Sequence, residues 1–112
     1  MDWREEPFCY LTTIGRITER PHTIEIWFAA RGETLYLLSG GGDRSDWVRN
    51  LLRDPRVRVR VGDLERDAVA RVVTDPDEDT LARDLVHDKY ASGGELRSWR
   101  RTALPVAVDL AT

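Results

Sequence analysis

This sequence predicts an α+β fold that is mainly β. It would be a small, partly open barrel of about six antiparallel strands with two to three short helices. Three observations carry that expectation. "RVRVRV" (56–61) alternates without a fault, so its valines face one side and its arginines the other. "HTIEIWFAA" (22–30) alternates too, with Ile24, Ile26 and Phe28 on one face and Thr23, Glu25 and Trp27 on the other. Only two long segments show helical spacing, and both begin with acidic residues.

The elements follow in order. Phe8 to Ile14, "FCYLTTI", is β-branched and aromatic and closes at Gly15, which reads as a strand. "GRITERP" turns into the second strand, 22–30. "RGET" is a hairpin turn, with Gly32 free to take a positive φ. "LYLLS" is the third strand. After three glycines, "SDWVRNLLRD" reads as a helix with Trp47, Val48, Leu51 and Leu52 on one face. Asp43 or Ser45 would cap it, and Pro55 ends it. Residues 56–61 and "RDAVARVVT" form a hairpin. Asp75-Pro76 opens the second helix, whose inward stripe is Leu81, Leu85, Val86 and Tyr90. A short helical piece is expected around Leu96 to Arg101, and "LPVAVDL" is the last strand.

A chain of 112 residues with 41% apolar and 33% charged residues is expected to be one globular domain, 1–112. Its net charge of −3 argues against nucleic acid as a partner. "MDWREEPF" is too charged for a signal peptide, and no apolar window is long enough to span a membrane, so a cytoplasmic protein is expected. Trp3 reads as an exposed aromatic. Cys9 lies in an apolar run and reads as a buried thiol. Sixteen of the seventeen basic residues are arginine and Lys89 is the one lysine.

Usual catalytic signatures are missing from the sequence. His22 and His87 stand apart and at no metal-ligand spacing, so no metal is expected. Asp75 to Asp79 suit helix capping better than paired catalytic carboxylates. The remaining candidate is anion-binding material. Gly40, Gly41 and Gly42 lead into a helix start, with Arg44 beside them, and Arg16 and Arg20 lie in the turn after the first strand. The competing reading is that the glycines permit a turn and the arginines are solvated. Arg56, Arg58 and Arg60 read as a solvated face that discourages edge pairing. Trp27, Tyr36, Trp47, Tyr90 and Trp99 either wall a cavity for a flat heterocycle or pack the core.

"LTTIGR", "PHTIEIWFAARGETLYLLS", "GG…W..NL", "DPRVRV" and "W.RTALPVAV", in that order, resemble the deazaflavin-dependent nitroreductase and quinone reductase family. The resemblance runs from about Phe8 to Leu110. It implies a split β-barrel like the FMN-binding pyridoxamine-phosphate oxidases, and coenzyme F420 as cofactor. It places the glycine loop (Gly40, Gly41, Gly42) and Ser39 against the cofactor, with Trp47 and Asn50 anchoring the helix beside the site. It gives Arg16 the phosphate, with Arg20 as a weaker candidate. It makes Tyr90 and Trp99 part of the cover over the ring and the substrate pocket. The implied reaction is hydride transfer to a quinone, nitro compound or enone, with Tyr90, Ser39 or water as proton donor, and a homodimer is plausible for such a barrel. The chain departs from the family where "GRITE" replaces "GRKSG" or "GRKTG": Ile17 stands for a lysine and Glu19 for a glycine. Gly40 also replaces a common lysine or asparagine. Three alternatives stay open: an FMN-dependent reductase or oxidase, a split barrel that binds a cofactor or ligand without catalysis, and a purely structural β module.

Overall fold

In the computed structural model, which describes residues 2–90 and 102–111, the stretch 22–30 is two strands rather than one. β1 is Cys9–Ile14, β2 Pro21–Ile26, β3 Ala29–Arg31, β4 Thr34–Ser39, β5 Arg56–Val61, β6 Leu64–Val72 and β7 Leu104–Leu110. The described residues therefore hold seven strands, one more than the sequence predicted. All pair antiparallel in one sheet, in the order β2-β1-β5-β6-β7-β4-β3.

That order dictates the architecture. β2 and β3 are consecutive in the chain yet lie on opposite edges of the sheet. Only Trp27 and Phe28 join them, and three residue steps reach at most about 11 Å. The sheet must curl until its edges almost meet, which makes a split β-barrel. Tyr90 holds the seam. Its hydroxyl accepts from the Phe28 N–H (3.1 Å) and lies 2.8 Å from the Phe28 carbonyl and 2.7 Å from that of Pro7. Phe28 satisfies its main chain there instead of on a neighbouring strand, so the strand breaks at that point.

Inside the barrel, Leu11, Phe28, Leu35, Leu37, Val59 and Val108 form a fully buried core. Val57, Val59 and Val61 point into it as the alternation predicts. The outward arginines do not guard an edge, because β5 lies between β1 and β6. Arg58 reaches Glu65 (2.7 Å) and Asp67 (2.8 Å), Arg56 pairs with Asp54 (2.8 Å), and Arg60 stacks over the Tyr10 ring. Arg56 and Arg58 are neutralised locally.

Helix α1, Asp46–Arg53, sends Val48 and Leu51 into the same core, while Leu52 is exposed rather than part of that face. Helix α2, Pro76–Lys89, starts as expected, with proline in its first turn and the Asp75 carboxylate accepting from the Glu78 N–H at 2.9 Å. It lies on the outside of the barrel, where Ala82 and Val86 bury against Ala29, Tyr36, Leu38 and Ala107, and Leu81, Leu85 and Tyr90 are half-buried. The helical piece expected around Leu96 to Arg101, with Trp99, falls outside the described residues.

The N-terminal segment lies against the barrel. Trp3 is half-buried and stacks on Phe28 at 6.4 Å, so it is not the exposed aromatic expected of it. Lys89 donates to the carbonyls of Arg4 (3.0 Å) and Glu6 (2.6 Å) and sits 3.7 Å over the Phe28 ring. Cys9 is 1% exposed, and burial pushes its thiol up to about 12, as suits an inert core thiol. Among the described residues no helix is long and apolar enough to cross a membrane.

Candidate functional site

The β1–β2 hairpin and the start of α1 enclose a cleft of about 440 Å³. The hairpin turn, Gly15 to Arg20, closes with a Gly15 N–H to Arg20 carbonyl bond of 2.8 Å and a Glu19 N–H to Gly15 carbonyl bond of 2.8 Å. Glu19 takes a left-handed φ of 59°, so the turn forms without a glycine at this position. Gly15 is fixed for a different reason. A Cβ there would stand 2.6 Å from His22 Nε2 and 2.9 Å from Thr18 Oγ1, so only glycine lets the His22 ring lie over the turn.

Asn50 is the anchor of the cleft. It is 4% exposed, and its Oδ1 accepts from the Arg16 N–H (3.2 Å) and from Arg16 Nη1 (3.0 Å). Its Nδ2 donates to Thr13 Oγ1 at 3.1 Å, and Thr13 is itself buried. One amide thus ties α1 to β1 and to the turn, and fixes where the Arg16 guanidinium points. Arg16 Nη2 reaches Asp46 Oδ1 at 3.1 Å. Ile24 and Trp47 supply apolar wall, and Ile17, 82% exposed, stands at the rim.

The structure separates the predicted site residues into groups. Arg16, Trp47 and Asn50 line this cleft together. Ser39 ends β4, Gly40, Gly41, Gly42 and Arg44 lie in the loop that enters α1, and none of them lines the cleft. Ser39 is buried and its hydroxyl is engaged within the loop, 2.9 Å from the Gly42 carbonyl and 2.9 Å from Ser45 Oγ. Ser45 is the N-cap of α1 but makes no side-chain cap bond, because its hydroxyl meets Ser39 instead. Arg20 is exposed at the far end of the turn, with its N–H on Thr18 Oγ1.

Trp27 and Tyr90 form a second group, stacked at 4.7 Å and 12°, at the end of β2 away from the cleft. Burial pushes the Tyr90 hydroxyl up to about 12. A second concavity of about 610 Å³, lined by Thr12, Ile14, Arg56, Arg58, Asp67 and Val69 among others, lies on the outer face. Its arginines are already paired.

Sequence reading missed Thr13, Thr18, His22 and Ile24 as cleft residues. Hairpin register was the available signal: Thr13 pairs directly with His22, which puts both on one face at the barrel mouth. Reading His22 for metal spacing alone hid it.

A flat, phosphate-bearing cofactor suits what this cleft offers. It has apolar wall for a ring, an arginine fixed by a buried amide for an anion, and a volume typical of small-molecule sites. The family model described as F420H(2)-dependent quinone reductase matches residues 1–111. Solved structures share the fold. One is an F420-H2 dependent reductase, 21% identical, covering 94% of each chain, with a TM-score of 0.72. Another is a putative pyridoxamine 5'-phosphate oxidase from Listeria innocua, 18% identical, covering 98% of this chain and 88% of that one, with a TM-score of 0.74. A third, described as a domain-swapped dimer, is 20% identical, covering 94% and 80%, with a TM-score of 0.74. No curated protein matches significantly.

Proposed function

Because the chain belongs to the F420H(2)-dependent quinone reductase family, we propose that residues 1–112 act as one F420-binding domain. Its reaction would pass a hydride from the reduced coenzyme to a small electron-poor acceptor, a quinone, nitro compound or enone. The observation that carries this reading is the Thr13–Asn50–Arg16 chain, which spends a buried amide on orienting one exposed-side guanidinium in a ligand-sized cleft. The same amide that ties α1 to β1 and the turn thereby holds the Arg16 guanidinium in one place for a ligand.

In this reading Arg16 holds the coenzyme's phosphate, Asn50 keeps Arg16 in place, and Trp47 and Ile24 bound its apolar part. When bound, the deazaflavin would supply the hydride, which carries both electrons of the reduction. The protein's own task is orientation and exclusion of water. The acceptor's proton comes from solvent or from a cleft group, because the Ser39 and Tyr90 hydroxyls are held by loop and main-chain partners. A homodimer fits this reading, in keeping with the similar structure described as a domain-swapped dimer.

Titration with F420 and separately with FMN, followed by tryptophan fluorescence, tests the proposal, since Trp47 lines the cleft. Quenching by F420, followed by F420-dependent reduction of a quinone, is the expected result. Preference for FMN would replace the cofactor and keep the barrel. Response to neither would leave the cleft without this role, and tight F420 binding without turnover of any acceptor would make the protein a carrier.

A further inference from the structure

The charge of the cleft is balanced before any ligand arrives. Among the described residues its lining holds one permanent cation, Arg16, and one carboxylate, Asp46, and the two are paired at 3.1 Å. A phosphoryl group entering here meets no net positive charge unless another group supplies it. One lining side chain can do so. His22 stands at the mouth with its ring over Gly15, exposed to solvent, and with Nε2 3.3 Å from Thr18 Oγ1. Thr18 Oγ1 accepts from the Arg20 N–H. Thr18 can therefore donate to a neutral His22 ring or accept from a protonated one, and either way Nδ1 is free for a ligand. Arg16 and Asp46 are the charged groups that share the cleft with the ring, and Glu19 and Arg20 lie on the same turn with both side chains exposed.

We propose that His22 is the second anion-contacting residue of this cleft and, with Arg16, seats a phosphoryl group of the ligand. The proposal rests on the reading that the cleft takes the phosphate of the coenzyme. The ring then adds a second donor, Nδ1–H, beside the one guanidinium of a lining whose charge is otherwise balanced.

The chain's two histidines make the test direct, because His87 on α2 lines no part of the cleft and serves as an internal control. Imidazole resonances of the intact protein, assigned with His87→Gln, are followed during titration with F420 and, in parallel, with inorganic phosphate against chloride at equal ionic strength. The expected result is that the His22 signals move with both ligands and those of His87 with neither. His22→Ala, checked for an unchanged melting temperature, should bind F420 about threefold to tenfold more weakly than wild type. Should F420 bind while His22 stays still, or should His22→Ala keep the wild-type affinity, the proposal is overturned and the coenzyme reading survives. Movement of His22 with phosphate but no F420 binding upholds the anion seat and removes the coenzyme reading. No movement with either ligand overturns the proposal.

Discussion

The Tyr90 hydroxyl engages both main-chain groups of Phe28, accepting from the N–H at 3.1 Å and lying 2.8 Å from the carbonyl. The link joins the end of α2 to the two-residue step between the edges of the sheet, and it explains the strand break that alternation alone did not show. Tyr90→Phe removes a half-buried hydroxyl and leaves the Phe28 N–H without that partner. A loss of about 1–3 kcal/mol is expected, read as a lower melting temperature. F420 affinity and turnover per folded molecule should stay near wild type, since the hydroxyl faces the seam and lines no part of the Arg16 cleft. A large fall in turnover with stability intact would make Tyr90 a proton donor after all.

Asn50 carries a different burden. Asn50→Ala leaves the Arg16 N–H and the buried Thr13 hydroxyl without this partner and frees the guanidinium to swing. The expected cost is about 2 kcal/mol, roughly 8–10 °C in melting temperature. Arg16→Lys separates stability from binding. It keeps the charge but cannot span Asn50 and Asp46 together. F420 affinity should drop about tenfold, with a melting temperature closer to wild type than that of Asn50→Ala. Equal affinity in Arg16→Lys and wild type would remove Arg16 from the site.

Glu19 is the one described non-glycine residue with positive φ. An L-residue held in that region costs about 1–2 kcal/mol, partly offset in a glycine variant by the greater entropy of its unfolded chain. Glu19→Gly should therefore stabilise the protein by about 0.5–1 kcal/mol, measured by denaturant unfolding, with no change in the turn. A destabilised variant would mean that the Glu19 side chain makes a contact worth more than the strain.

Acid sensitivity is expected to centre on Glu78. Its carboxylate accepts from Arg71 Nη1 (2.6 Å), Arg71 Nη2 (2.9 Å) and the Tyr36 hydroxyl (2.8 Å), and so ties α2 to β6 and β4. The Arg71 guanidinium is the main cause that holds the carboxyl at about 2, below its ordinary 4.5. With the folded value depressed, the stabilisation is complete above about pH 4.5 and lost as pH falls toward 2. Melting temperature plotted against pH should fall more steeply for wild type than for Glu78→Gln across that window, and the two curves should converge at its acid end. Parallel curves would show that the Arg71–Glu78 pair adds no pH-dependent stability.

Legibility in the sequence followed the reach of each signal. The valines and arginines of β5 and the Asp75-Pro76 start of α2 were readable because period and capping are local. The break at Trp27–Phe28 was not, because its cause is a hydroxyl 62 residues away in sequence. The outward arginines form the expected solvated face, but their edge-guarding role fails for the same reason: β5 is a central strand only once β1 and β6 have paired with it. In the cleft, "W..NL" pointed to Trp47 and Asn50 through resemblance. Thr13 and His22 become site residues only through the register of the hairpin.

The glycine loop now has a local explanation that a sharper experiment can separate from a ligand role. Gly42 takes a φ of 61°, and a Cβ on Gly41 would stand 2.5 Å from Ser45 Oγ, the hydroxyl that meets Ser39. Both positions are accounted for by the turn itself. A bulky residue at Gly41 would therefore damage the loop whether or not a cofactor lies there, so Gly41→Val cannot tell the two apart. Gly41→Ala should destabilise, and adding Ser45→Ala should recover most of that loss by clearing the clash, with the coupling measured as a double-mutant cycle. Because no glycine of the loop lines the Arg16 cleft, the double variant should also bind F420 with wild-type affinity. Restored stability with lost affinity would put the backbone of Gly40 to Gly42 against the coenzyme, as the family resemblance implies.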